Sequence, residues 1–193
     1  MPRYLPRACA LALALAAPLL SAESVSREQV LAAIRTFDAN ASCAPAAAAA
    51  ATDAVARASN TILKFSLESD AVVVDLGPDS VPWCDVKKGL ANLPNSGDRG
   101  LLLAAYLSGS VRTQLEAGKQ DPNPLAGWTA MLRVYRNLKM REGVRIPEVE
   151  GLLAHEADGT LPAFAAEAVR RSTENLQRTY GPPKQVLTAS ARP

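Results

Sequence analysis

Leu125, Trp128, Leu132, Tyr135 and Leu138 recur at spacings of three and four, with Arg133, Arg136, Asn137 and Lys139 between them. That spacing puts the apolar side chains on one face of an α-helix and the cations on the other. The same period recurs along most of the chain. Ser26 and Gln29 form a capping box ahead of Val30, Ile34, Phe37 and Ala41, so a first helix is expected over residues 26–40. A second runs from Pro45, a residue tolerated at a helix start, to about Glu68, with Val55, Ala58, Ile62 and Phe65 as its stripe. Asp98 reads as the cap of a long helix carrying Leu101, Ala104, Ser108, Val111 and Leu115 and ending at Gly118. Its wide apolar face predicts a central position. The turn Asp121-Pro122-Asn123-Pro124 then leads into the stripe above, which makes an antiparallel hairpin. Pro147 opens a shorter helix to about Glu156, and Thr160 caps a last one to about Arg178, frayed after Ser172.

One segment breaks the pattern. Val72-Val73-Val74 favours extended backbone. Residues 71–76 are therefore expected as a lone buried linker, with Gly77-Pro78-Asp79 as the turn that ends it. The fold class is all-α: a single-domain bundle of five or six helices, one extended linker and one disulfide.

The disulfide follows from the N-terminus. Arg3 and Arg7 make a basic start, Ala8–Ala17 a short apolar run, and Ser21-Ala22 a small-residue end, which together read as a secretory signal peptide over residues 1–22. The run is half the roughly 20 residues that a membrane-spanning helix needs, and no other stretch approaches that length without charges, so no transmembrane anchor is expected. Cys9 leaves with the leader. Cys43 and Cys84 remain, in an oxidising compartment where they can pair. The bridge would close a loop of about 42 residues and contribute ~4 kcal/mol on the chain-entropy model. Residues 23–180 are read as one helical domain and 181–193, polar and Pro-bearing, as a mobile tail. Alanine-rich composition and the style of the leader suggest a bacterial protein, periplasmic or secreted.

Charge excludes one large class of partner. The 193-residue chain carries 21 Lys and Arg against 19 Asp and Glu, and the excess of two is Arg3 and Arg7 of the leader. A neutral mature chain without a basic block is a poor match for nucleic acid.

Few residues carry a chemical pattern. His155, the only histidine, sits with Glu148, Glu150, Glu156 and Asp158 in an acidic stretch. Imidazole beside carboxylates could carry a proton or hold one metal ligand position. The His-Glu-x-x-His spacing is absent, since Gly159 stands in place of the second histidine. Neither a Gly-x-Ser-x-Gly elbow nor a phosphate-binding glycine loop occurs. No catalytic residue, metal site or cofactor is assigned. Trp83 and Trp128 are the aromatic residues offered for contact with a ligand or partner, with core packing as the competing role.

Asp121-Pro122-Asn123-Pro124 followed by Ala126, Trp128, Leu132 and Tyr135 resembles the opening of a tetratricopeptide repeat. The resemblance implies stacked helical hairpins that bind peptides. It covers under a quarter of the chain and has no second copy at a fixed period, where three or more repeats are the norm. The segment is therefore read as an ordinary helical hairpin. By elimination, the expected function is a non-catalytic binding or scaffold module of the bacterial envelope, contacting another envelope protein or a small apolar ligand. The alternative is a hydrolase of envelope polymers using the acids around His155.

Overall fold

The computed structural model describes residues 24–41, 48–84 and 89–180, with backbone alone at 48–51, 90, 141–142 and 180. Six α-helices occur among them: α1 (Arg27–Asn40), α2 (Ala48–Glu68), α3 (Ser96–Ala117), α4 (Leu125–Glu142), α5 (Pro147–Ala157) and α6 (Leu161–Tyr180). A 3-10 turn at Leu90–Asn92 precedes α3, and no strand forms among the described residues. The expected leader (1–22), Pro45, Cys43 and the expected C-terminal tail (181–193) lie outside the described residues.

The capping box at α1 forms as its sequence dictates. Ser26 Oγ accepts from the Gln29 N–H at 3.2 Å, and Gln29 Oε1 accepts from the Ser26 N–H at 2.7 Å. Val30, Ile34 and Phe37 are buried, and α1 packs along α2, which contributes Ala58, Ile62 and Phe65. Pro147 sits in the first turn of α5, where its missing N–H costs nothing. Gly118 and Gly143 close α3 and α4 in the left-handed conformation, at φ of 62° and 66°.

Two helix ends differ from the sequence expectation. α3 starts at Ser96, not at Asp98, because Asn95 adopts φ 55° and takes the N-cap position without a side-chain capping bond. Asp98 lies instead in the first turn, where a carboxylate favours the helix dipole. α6 continues unbroken past Ser172. Its exposed turns carry Arg170 bonded to Glu167 at 2.5 Å and also paired with Glu174, contacts at helical neighbour spacing that support an otherwise solvated helix.

Residues 72–76 form neither helix nor strand, and the segment is not the buried linker expected: Val72 alone is buried, while Val73 turns to the surface. Its backbone is satisfied by a side chain. The Gln114 amide of α3 accepts from the Val73 N–H and donates to the Val73 carbonyl, both at 2.9 Å, as a neighbouring strand would. Gln114 Oε1 also accepts from the Asp121 N–H at 3.1 Å. One buried amide thus joins the linker, α3 and the α3–α4 loop. Replacing Gln114 by Leu keeps the volume and strands these groups. We expect a loss of about 3 kcal/mol, read as a lower urea midpoint at unchanged slope. A loss under about 1 kcal/mol would show that the linker does not depend on this amide.

The hairpin of α3 and α4 is the centre of the domain. Gly109 of α3 lies against α4 so closely that an ideal Cβ would stand 2.5 Å from the Ala126 carbonyl oxygen and 2.7 Å from the Ala130 Cβ. Gly127 makes the reciprocal approach, with a Cβ falling 2.5 Å from Ser110 Oγ and nearer still to the Tyr106 ring. Two glycines facing opposite helices let the backbones meet without a side-chain layer between them.

Candidate functional site

Trp83 and Trp128 are both wholly buried. The Trp83 ring meets Tyr106 edge-on at 5.9 Å, and Trp128 stacks on Phe164 at 5.6 Å while its N–H donates to the Ser80 carbonyl at 2.7 Å. In this arrangement the rings are core, and a ligand or partner would reach either one only after a covering segment moved. Cys84 is buried as well and forms no disulfide with another described residue. Burial pushes its thiol up to about 11, with Arg99 pulling the other way, so the reduced form is a poor nucleophile.

The acidic stretch of α5 does not gather into one cleft, because each group is tied to a separate partner. Glu148 pairs with Arg99 at 3.4 Å. Arg99 is itself buried and donates to the Trp83 and Pro94 carbonyls at 2.5 and 2.9 Å. Glu150 accepts from Lys139 at 2.7 Å and from the Tyr135 hydroxyl at 2.6 Å. Those two bonds hold its carboxyl below the usual carboxylate range. Desolvation, and then the same bond to Glu150, pushes the Tyr135 phenol up to about 12. Glu156 pairs with Arg136. His155 Nδ1 lies 2.9 Å from Thr160 Oγ1, and its ring stacks on Phe164 at 4.1 Å. Asp158 caps the helix end and is exposed. Alternate sides of a helix explain the dispersal, since Glu148 and Glu150 are two residues apart and cannot share a face. No group of three metal-ligating side chains occurs among the described residues.

A concave surface lies elsewhere, over the α3–α4 crossing. Its volume is about 600 Å³. Gly109, Ala126 and Ala130 line it with small residues, and Thr113, Leu125 and Thr129 line it as well. Arg112, Arg133 and Arg136 stand around it. Asp38 of α1 accepts from Arg112 and, at 3.2 Å, from Arg133, while Glu156 pairs with Arg136. Among the described residues, three guanidinium groups therefore share two carboxylates. The Arg133 side chain is 56% exposed, so its bond to Asp38 is weak and exchangeable. A guanidinium fork suits carboxylate or phosphate oxygens. The hydroxyl of Thr129 is spent on its own helix, donating to the Leu125 carbonyl at 2.8 Å, and no histidine lines the groove. The chemistry on offer is recognition of an anion.

In comparisons with family models, with curated proteins and with solved structures, nothing matches this chain. The site must therefore be read from its own residues. Sequence reasoning placed Arg133 and Arg136 on a solvated helix face and missed the groove. The available signal was Gly109 and Gly127, isolated glycines inside strong helical patterns, which often mark a close packing contact.

Proposed function

We propose that this chain is an exported, non-catalytic binding module of the bacterial envelope, and that its contact surface is the α3–α4 groove. The observation that carries the reading is the imbalance in that groove, three guanidinium groups beside a small-residue lining with two carboxylates among the described residues to satisfy them. A rim of cations suits another protein better than a small apolar ligand, which needs enclosed apolar walls. The hydrolase reading has weaker support, because Glu148, Glu150 and Glu156 are each held by a different cation.

Export rests on the leader and on the cysteines. No helix among the described residues is long and apolar enough to cross a membrane. The Cys43–Cys84 bridge is inferred from the leader and from the two cysteines that remain after it. The mature protein isolated under oxidising conditions should then expose no thiol to a maleimide reagent after denaturation without reductant. Two labelled cysteines would remove the bridge.

The binding reading is tested by a photo-crosslinking residue at position 129, in the groove lining, in cells expressing the full chain. One discrete adduct is expected, and it should disappear when Arg133 and Arg136 are both changed to Ala. Adducts indifferent to those arginines, or none at all, would rule the groove out as the contact surface.

A further inference from the structure

We propose that the groove binds an extended acidic peptide segment, and that Asp38 is a built-in competitor which that segment displaces. The inference rests on the binding-module reading and adds the occupant. Shape argues for an extended chain. α4 lines the groove at Leu125, Ala126, Thr129, Ala130, Arg133 and Arg136. Eleven residues of helix rise span roughly 16 Å, which matches about five residues of extended peptide. Gly109, Ala126 and Ala130 line the groove with the smallest side chains, which leaves room for a main chain beside the helices.

Charge sets the occupant's polarity. Arg112 and Arg133 converge on Asp38, so their guanidinium groups lie together, and Arg136 stands one turn beyond Arg133 on α4. Leu125 and Ala126 line the other end without charge. A segment whose carboxylates cluster at one end and whose other residues are small fits this gradient. Thr113 also lines the groove, and its hydroxyl suits a peptide amide better than an acyl chain.

Asp38 completes the device. In the free protein it occupies two of the three guanidinium groups, while Glu156 on the groove lining holds Arg136, and so it lowers the affinity for any incoming carboxylate. A bound segment would take Arg133 first, since that side chain is the most exposed of the three. Arg112 could keep Asp38 and hold the end of α1 in place. The sign of the Asp38 effect is therefore opposite to that of the arginines.

The test uses the mature chain and a coumarin-labelled pentapeptide of three alanines followed by two glutamates, read by fluorescence anisotropy. Its partner probe has two glutamines and an amidated end. Saturable binding of the acidic peptide alone is expected, weakening as salt is added. Arg133→Ala should weaken it about tenfold, and its exposure makes a folding defect no explanation. Asp38→Asn should tighten it severalfold, with a thermal melt confirming that α1 remains folded. Equal binding of the amidated peptide, no saturation at millimolar peptide, or an Asp38→Asn variant that binds no better would each overturn the proposal. So would dodecanoate displacing the peptide, which would mark the groove as an amphiphile site. If the position-129 adduct forms and the acidic peptide does not bind, the binding-module reading stands and the peptide inference falls.

Discussion

Gly127→Val is expected to abolish the cooperative unfolding transition of this protein. An ideal Cβ at that position stands 2.5 Å from Ser110 Oγ and closer to the Tyr106 ring. Real Cβ atoms do not approach other atoms so closely, so something must move. The Tyr106 ring is held from two sides: its hydroxyl donates to the Asp75 carbonyl at 3.0 Å, and the ring meets Trp83 in a T-shaped contact at 5.9 Å. Overpacking in a rigid core costs about 1–3 kcal/mol for an added methylene. Gly127→Ala should fall at the upper end, about 3 kcal/mol, and the branched valine should exceed that. Such a loss is a large part of the 5–15 kcal/mol that a domain typically has. Gly109→Ala should rank with Gly127→Ala, because its obstacle is the Ala126 backbone oxygen, which cannot rotate aside. Gly151 supplies the contrast. It lies on the exposed side of α5 with nothing near its Cβ position, and alanine there should stabilise by about 0.5–1 kcal/mol through helix propensity. Urea unfolding followed by far-ultraviolet circular dichroism measures all four. A Gly127→Val protein that unfolds within about 1 kcal/mol of the parent would refute the close crossing of α3 and α4.

That crossing also marks the limit of what the sequence can disclose. Periodicity and caps are local, and they place all six helices: Ser26 with Gln29, Pro147, and the stripe from Leu125 to Leu138 each depend on residues a few positions apart. That the linker is not helical was legible too, because three β-branched residues in a row do not favour a helix. Its partner was not. Gln114 is 41 positions from Val73, and nothing in the local pattern distinguishes a buried glutamine from a solvated one. The groove needs still more. Arg112, Arg133 and Asp38 come together only once α1, α3 and α4 have packed in one register. The dispersal of Glu148, Glu150 and Glu156 among three cations is likewise a property of the assembled helices. An acidic run in a sequence does not say which way its carboxylates point.

Trp128→Ala should be the second most damaging of the substitutions considered, at about 4–5 kcal/mol. The indole is fully buried, and truncating a large aromatic in a packed core costs about 3–5 kcal/mol through lost transfer energy and the cavity left behind. Two specific contacts go with it. The Ser80 carbonyl loses the N–H that reaches it at 2.7 Å, and Phe164 loses the ring stacked on it at 5.6 Å. Phe164 is the residue on which His155 and Arg171 rest from the α5 and α6 sides, so the loss should also loosen α6. At the roughly 2–4 °C per kcal/mol typical of domains this size, the melting temperature should fall by about 8–20 °C. Trp128→Phe separates the terms: most of the packing survives, and the unpaired Ser80 carbonyl should account for a loss of about 1–2 kcal/mol. Trp83→Phe is the matched control. That indole is equally buried, and its N–H has no hydrogen-bond partner among the described residues, so phenylalanine there should cost less than at position 128. Equal losses at the two positions would mean that the bond from Trp128 to Ser80 contributes nothing to holding the 77–84 turn against α4.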